Sequence, residues 1–223
     1  VRLMRNRYNE QLKTMYALMT EMGNLCQDAI GVSVKTLEGE EEAARQLEDH
    51  VFAVDREVDD LEREIEALCT KLLLQQQPVA TDLRRITAAL KMITDMERIG
   101  DQAEDIVEIV PYMNAHPDEK YPKIREMAKA AQVMVTEAVD AYVKQDLELA
   151  KKVMAHDDVV DDYFTQVKNG IIDIIATEPS QGEYALDLLM IAKYYERIGD
   201  HAQNIAEWVE YALTGRHKGV FLT

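Results

Sequence analysis

With 223 residues, of which 47% are apolar and 30% are charged, the chain has the composition of a folded globular protein and not of a disordered one. Its 42 acidic and 25 basic residues give a formal net charge of −17, which argues against nucleic acid as a partner because phosphate binding needs a basic patch. The sequence shows no signal peptide and no apolar run of 18 residues, so we expect a cytosolic protein.

The first half of the chain predicts three long helices. Apolar residues recur at steps of three and four, which is the spacing of an amphipathic helix. The predicted helices span residues 3–37, about 40–76 and about 78–111. Gly39 marks the first break, and Pro78 is predicted to open the third helix because proline favours the first helical position.

The second half repeats this plan after a linker, residues 111–122, which contains three prolines. The fourth helix is predicted to end near Lys144, and Asp146 is predicted to cap a fifth helix that ends near Thr177. A sixth helix follows Pro179 and stops at Gly215. Residues 216–223 are expected to form a loose tail.

The predicted fold is therefore all-α, with two tandem three-helix bundles related by pseudo-two-fold symmetry. We place the first bundle at residues 1–113, the second at 118–215 and the C-terminal tail at 216–223. Helices of this size would be roughly 45 Å long at about 1.5 Å per residue. Cys26 and Cys69 lie on apolar helical faces and are expected to be buried thiols.

A repeated sequence motif occurs once in each half of the chain. Residues 97–106 read ERIGDQAEDI and residues 196–205 read ERIGDHAQNI, 99 positions later. Such self-similarity indicates a duplicated unit. Each copy places two acids one helical turn apart, and each contains a glycine inside a strong helical pattern. We expect Gly100 and Gly199 to permit the close approach of a neighbouring helix.

A second pair of acids precedes each copy by one helix, in VDREVDDL (54–61) and HDDVVDDY (156–163). Two residues of a helical hairpin lie at the same height when their midpoint falls on the turn. Asp59 with Glu97 and Asp55 with Asp101 both have their midpoint at Pro78, the predicted turn.

The corresponding pairs of the second half, Asp161 with Glu196 and Asp157 with Asp200, have their midpoint beside Pro179. Each half is thus predicted to gather four carboxylates. Asp158 and Asp162 leave the register of the fifth helix open.

Clustered carboxylates predict a cation site. Like charges one turn apart destabilise a helix by roughly 0.2–0.5 kcal/mol per pair, and oxygen ligands suit hard cations such as Mg²⁺, Mn²⁺ or iron. Asp105 extends the acidic ladder of the first half by another turn, whereas the second half has Asn204.

The alternative is a solvated acidic face in which Arg98 or Arg197 pairs with acids of a neighbouring helix. Each arginine lies about 100° around its helix from the preceding glutamate, so we expect it to be poorly aimed at its own acidic pair. His201 is expected to be a surface residue and not a ligand.

No catalytic or organic-cofactor residues are predicted. The sequence has no Glu-x-x-His, no GxGxxG, no P-loop and no nucleophile elbow. A phosphohydrolase that uses carboxylate-bound metals and a purely structural helical scaffold remain as alternative hypotheses.

The duplicated ERIGD motifs, with VDREVDDLE and DDVVDDY before them, strongly resemble the PhoU family, and MRNRYNEQL and EMGNLCQDAI resemble its first helix. The resemblance covers essentially the whole chain. It implies a cytoplasmic, non-enzymatic negative regulator of phosphate uptake and of the phosphate-starvation response. The implied partners are the ATPase subunit of the phosphate ABC transporter and a membrane sensor histidine kinase. We further expect a homodimer that reaches the membrane only through its partners.

The resemblance also implies a multinuclear metal cluster, of iron or zinc in some members and with Mg²⁺ or Mn²⁺ in others. The ligands carried over to this chain are Asp55, Asp59, Glu97, Asp101 and Asp105 in the first half, and Asp157, Asp161, Glu196 and Asp200 in the second. The second half departs from this pattern at Asn204, which stands where the first half has Asp105.

Overall fold

The structure, a computed structural model, describes residues 2–37, 41–112 and 122–222. Six long helices account for most of it: α1 (Arg2–Thr36), α2 (Glu41–Gln76), α3 (Ala80–Ile109), α4 (Pro122–Lys144), α5 (Leu147–Thr177) and α6 (Gly182–Thr214). The predicted all-α fold is confirmed. Among the described residues, no helix combines the length and the apolar character needed to cross a membrane.

The helix ends follow the local sequence signals closely. Asp146 caps α5, because its carboxylate accepts a hydrogen bond from the Leu149 amide at 3.0 Å. Gly215 ends α6 in the left-handed conformation, with φ of 80°, and donates its amide to the Tyr211 carbonyl.

The third helix begins two residues later than predicted. Pro78 does not open α3; it lies in the turn before it, and the helix begins at Ala80. The φ angles of Gln77 and Ala80 are both positive, so the turn reverses the chain around the proline before the helix starts. Most of the predicted linker, residues 113–121, lies outside the described residues.

The helices form two bundles, α1–α3 and α4–α6, that pack side by side. Within each bundle every helix contacts the other two. Between the bundles, α1 packs on α4 and α3 packs on α6, so equivalent helices of the duplicated unit face each other. These contacts are the ones expected of the predicted pseudo-two-fold symmetry, with its axis between α3 and α6.

Apolar side chains from all six helices form one continuous core that crosses this boundary. Cys26 and Cys69 are buried free thiols, as predicted. The Ser33 and Tyr195 hydroxyls, 2.8 Å apart, form a buried hydrogen bond between the bundles. Gly23 lets α4 approach α1, since a Cβ at this position would lie 2.8 Å from Val139 Cγ1.

The C-terminal segment is not a loose tail, and that prediction was wrong. Arg216–His217 (β1) pairs antiparallel with Val220–Phe221 (β2) in a small hairpin. Lys218 and Gly219 form its turn with φ of 49° and 78°, the left-handed pair that suits tight hairpins. The His217 ring stacks on Trp208 with 3.8 Å between centroids, which fixes the hairpin to the end of α6.

Candidate metal centres

Two groups of acidic side chains face each other across the helical hairpins. We call the group between α2 and α3 the first cluster, and the group between α5 and α6 the second cluster. The first cluster consists of Asp55, Asp59, Glu62, Glu97, Asp101 and Glu104. The second consists of Asp157, Asp161, Glu196 and Asp200.

Asp55 is the most deeply buried acid of the first cluster, with only 7% of its surface exposed. Its Oδ1 atom is buried against Gly100 and has no hydrogen-bond partner. Burial raises the pKa of Asp55 to about 8, with further contributions from a hydrogen bond to Glu104 and from repulsion by Glu104, Asp59 and Asp101. A pKa this high means that, among the described residues, no positively charged group lies close enough to stabilise the ionised Asp55 carboxylate.

The other end of the first cluster centres on Glu97. Burial raises the pKa of Glu97, and repulsion by Asp101, Glu62 and Asp59 raises it further. The structure therefore brings Asp59 beside Glu97 and Asp55 beside Asp101, the heights given by the midpoint argument. Glu62 was missed by the sequence analysis. It lies seven residues after Asp55, so it returns to nearly the same face of α2.

The pairing of Arg98 differs from the expectation. Its guanidinium lies 3.0 Å from Asp101 Oδ2 and 3.5 Å from Glu97 Oε2, so it contacts both acids of its own motif. The prediction considered only the direction of the Cα–Cβ bond. An arginine side chain is long enough to fold back to the residue three positions later, which lies on a neighbouring face. Because the guanidinium is 56% exposed, it neutralises the rim of the cluster and not its buried end.

Glu104 lies closer than Asp105 to the line of Glu97 along α3, and Asp105 as a ligand stays a prediction. Seven residues after Glu97, a helix has completed almost two turns, and Glu104 lies about 20° from the direction of Glu97. Asp105 lies about 80° away, towards α6. Burial raises its pKa, repulsion by Glu108, Asp101 and Glu104 raises it further, and Arg197 of α6 counteracts the rise. Asp105 therefore belongs to the contact between the bundles.

The second cluster has the register Asp157 and Asp161. The Asp157 Oδ1 atom is buried without a hydrogen-bond partner. Burial, followed by repulsion from Asp161 and Asp200, raises the pKa of Asp157 to about 6. The pKa values of Asp161 and Asp200 are raised as well, first by burial and then by Glu196. Asp158 and Asp161 are both exposed, so it is the repulsion of Asp157 and Asp161 by Glu196 that assigns the register.

A lysine partly neutralises this cluster. The Lys193 ammonium forms an ion pair with Glu196 and lies 5.4 Å from the centre of the Phe164 ring. It also counteracts the rise in the pKa values of Asp161 and Asp200. The equivalent position in α3 is Thr94, so the first cluster has no such ammonium group there.

His201 and Asn204 contact the other bundle. His201 Nδ1 lies 2.8 Å from Asp95 Oδ1 of α3, and Asn204 donates its amide to the same oxygen at 3.2 Å. His201 is therefore half-buried between the bundles and is not the surface residue that we expected. Asn204 and Asp105 occupy equivalent positions, and both face the α3–α6 contact instead of a carboxylate cluster.

The donor chemistry of both clusters fits a hard cation, because every candidate ligand is a carboxylate and each cluster contains a buried, unpaired oxygen. The present side-chain positions do not form a coordination shell. Within the described residues, no three His, Cys, Asp or Glu side chains converge closely enough to hold a metal ion. Binding would require the carboxylates to rotate about their side-chain bonds. The two hairpins, α2–α3 and α5–α6, leave room for this rotation where the side chains face solvent.

Comparison with known proteins places both halves in one family. The PhoU domain matches residues 19–110 and 124–209, so each match covers one bundle with its cluster. Curated relatives carry the name phosphate-specific transport system accessory protein PhoU homolog. One from Clostridium acetobutylicum is 31% identical over 94% of this chain and 95% of its own length. Another, from Zymomonas mobilis, is 33% identical over 94% of this chain and 87% of its own length.

Solved structures agree with this assignment. The crystal structure of PhoU from Pseudomonas aeruginosa superimposes with a TM-score of 0.86 at 30% identity, covering 94% of this chain and all of that one. The phosphate transport system regulatory protein PhoU from Streptococcus pneumoniae gives a TM-score of 0.82 and covers 94% of this chain and 98% of that one. At 20% identity it supports the fold alone. This chain, with both of its acidic helical hairpins, belongs to the PhoU family.

Proposed function

We propose that this protein is a cytoplasmic negative regulator of phosphate uptake and of the phosphate-starvation response. It acts as a metal-binding adaptor and not as an enzyme. The observation that carries the proposal is the match of both halves to the PhoU domain, together with similarity over nearly the full length of relatives named as accessory proteins of phosphate-specific transport.

The partners follow from the same resemblance. We propose that the protein contacts the ATPase subunit of the phosphate transporter and a sensor histidine kinase, and that a homodimer is the working unit. A formal charge of −17 favours a basic partner surface, and it favours fast, salt-sensitive association with such a surface. The protein would then reach the membrane through these partners.

The metal part of the proposal rests on the two clusters. In the first, Asp55, Asp59, Glu97, Asp101 and Glu104 would hold a multinuclear group of iron or zinc ions, or Mg²⁺ or Mn²⁺. In the second, Asp157, Asp161, Glu196 and Asp200 would do the same. The support is electrostatic: burial and mutual repulsion raise the pKa of Asp55 to about 8 and that of Asp157 to about 6 in the absence of a cation. A bound cation would replace the missing positive charge.

Metal binding would also shape the binding surface. Each cluster spans two helices of one hairpin, so a cation shared by both helices would tie them together. Each cluster would become less negative, and its carboxylates would take fixed positions. A partner that recognises this ordered surface would bind the metal-loaded protein more tightly than the metal-free one.

The regulatory role can be tested in a strain that lacks the gene. Deletion should raise phosphate uptake when phosphate is abundant, and the wild-type chain should restore repression. A chain carrying Asp55→Asn and Asp157→Asn should fail to restore it. The matched control carries Asp60→Asn and Asp158→Asn, which change neighbouring exposed acids on the same helices. Unchanged uptake in the deletion strain would refute the regulatory role.

The adaptor role calls for a direct binding measurement. The purified chain should capture the transporter ATPase and the sensor kinase, and chelator should weaken this capture. Equal capture with and without chelator would separate partner binding from metal binding. A phosphatase assay with added Mn²⁺ is the counter-test, since turnover of phosphate esters would show that the clusters are catalytic.

A further inference from the structure

The glycine of the first ERIGD motif lies against a carboxylate. Gly100 of α3 faces Asp55 of α2, and a Cβ atom added at Gly100 would lie 2.6 Å from Asp55 Oδ1. Real Cβ atoms essentially never come so close to another heavy atom. The same Cβ would contact Val58 at an ordinary 3.5 Å. The space that the missing side chain leaves is therefore filled by the carboxylate, not by the neighbouring helix as a whole.

The glycine of the second motif has a different neighbour. A Cβ added at Gly199 would lie 3.2 Å from Val160 Cγ1, which is tight, and 3.6 Å from Asp157 Oδ1, which is an ordinary contact. In the second half the glycine thus makes room for an apolar side chain. The two copies of one motif place the same residue type against two different groups.

We propose that Gly100 is a positioning residue for the Asp55 carboxylate. By lacking a side chain it lets Asp55 lie against the backbone of α3, buried and beside Glu104. Gly199 instead serves the packing of α5 on α6. The inference deepens the metal-binding function proposed above for the first cluster, but the geometry on which it stands does not depend on a metal.

The consequence for the first cluster is specific. An aspartate side chain is short, and Asp55 is only 7% exposed, with its Oδ1 atom against Gly100. A methyl group at position 100 would force its carboxylate to rotate away from α3. The Asp55 carboxylate would then leave its place beside Glu104 and Asp101, while Asp59 and Glu97 would keep theirs.

The test is a set of double-mutant cycles in chelator, with unfolding by urea as the readout. Gly100→Ala should raise the unfolding equilibrium constant on the order of tenfold in the wild-type chain. The increase should be just as large in a chain that also carries Asp55→Asn, which keeps the size of the side chain. It should be much smaller in a chain that also carries Asp55→Ala, which removes the carboxylate. Gly199→Ala should change the unfolding equilibrium constant by the same factor in the wild-type chain and in a chain that also carries Asp157→Ala. Equal costs of Gly100→Ala in all three backgrounds would overturn the proposal.

A second readout is Mn²⁺ titration of the folded variants. Gly100→Ala should weaken binding at the first cluster by about tenfold, as loss of a group that orients a ligand commonly does, and should leave the second cluster unchanged. If the wild-type chain binds no metal, the proposed metal function fails while the cycles still decide the role of Gly100. If wild-type binds Mn²⁺ and Gly100→Ala binds it equally well, Gly100 does not position a ligand.

Discussion

The two carboxylate clusters come from one duplicated hairpin, yet they differ in charge. Four acids of the first cluster have counterparts in the second: Asp55, Asp59, Glu97 and Asp101 correspond to Asp157, Asp161, Glu196 and Asp200. The first cluster adds Glu62 and Glu104, and the second has Phe164 and Gln203 at those positions.

The compensating cations differ as well. In the first cluster Arg98 pairs with Asp101 and Glu97, and Arg63 pairs with Asp59. In the second cluster Lys193 pairs with Glu196. The duplicated hairpins therefore share the four-acid arrangement and differ in the charge around it. Within the described part of the chain, the first cluster has more carboxylates that no basic side chain neutralises. We therefore expect it to bind a metal cation more tightly than the second cluster does. Four predictions test this contrast.

The largest expected effect is on metal binding at Asp55. Asp55→Asn should lower the Mn²⁺ affinity of the first cluster at least about 100-fold, because even groups that only orient ligands contribute about 10- to 100-fold. Asp157→Asn should abolish only the weaker site. Calorimetric titration measures both, with Asp60→Asn as the control for a lost exposed charge. Two sites of equal affinity in the wild-type chain would remove the contrast between the clusters.

The second prediction concerns the pH dependence of the metal-free protein. The pKa of Asp55 is raised from 3.8 to about 8, and that of Asp157 from 3.8 to about 6. A raised pKa favours the protonated carboxyl in the folded state, so its stabilising contribution is complete below about pH 4. It is lost as pH rises through the folded pKa.

In chelator, the contribution of Asp157 should therefore disappear by about pH 6 and that of Asp55 only by about pH 8. Asp55→Asn should stabilise the metal-free chain relative to wild type at pH 8, on the order of 2 kcal/mol, since it removes a buried unpaired charge. Urea unfolding across this range measures it. A stability gap between variant and wild type that stays constant from pH 4 to 8 would contradict the prediction.

The third prediction separates Glu104 from Asp105. Glu104→Gln should weaken Mn²⁺ binding at the first cluster about tenfold, because it removes a carboxylate that contacts Asp55. Asp105→Asn is the matched control one residue later. It should leave binding within about twofold, because its side chain faces Arg197 on α6. If the two variants behaved the other way round, the ladder of acids would follow the four-residue spacing after all.

The smallest effect is expected at Lys193. Lys193→Gln should strengthen cation binding at the second cluster by about two- to fivefold, because it frees Glu196 from a partly exposed ion pair that contributes no more than about 1 kcal/mol. The variant should make the second cluster more like the first. Weaker Mn²⁺ binding in this variant would mean that the lysine orders the site and does not compete for it.

Much of the fold could be predicted because its signals are local. Apolar spacing gives the helices, and Asp146 and Gly215 mark ends that the structure confirms. The midpoint argument then places acids of adjacent helices at matching heights without any tertiary information. It works because a hairpin of two straight helices has essentially one free parameter, the position of its turn.

Differences from the prediction arose where a small angle or a long side chain decides the contact. Counting every fourth residue gains about 40° per step, so by the third acid Asp105 has turned onto a different face than Glu97. Arg98 reaches acids that its Cα direction would exclude. The hairpin after α6 was missed because two-residue strands give no alternation, although Lys218-Gly219 is a recognisable turn signal. The α3–α6 contact of Asp95 with His201 joins residues 106 positions apart, for which the sequence offers no spacing rule.

The attachment of the C-terminal hairpin has a practical consequence. Trp208 is the one tryptophan of the chain, and it lies eight residues after Asp200 on the same helix, stacked on His217. Its fluorescence will report the end of α6 and its surroundings, which include Lys91 of α3, whereas helical circular dichroism will report all six helices. Coincident unfolding curves from the two signals would show that the halves melt as one cooperative unit. Separate curves would show that the end of α6 unfolds apart from the rest of the helices.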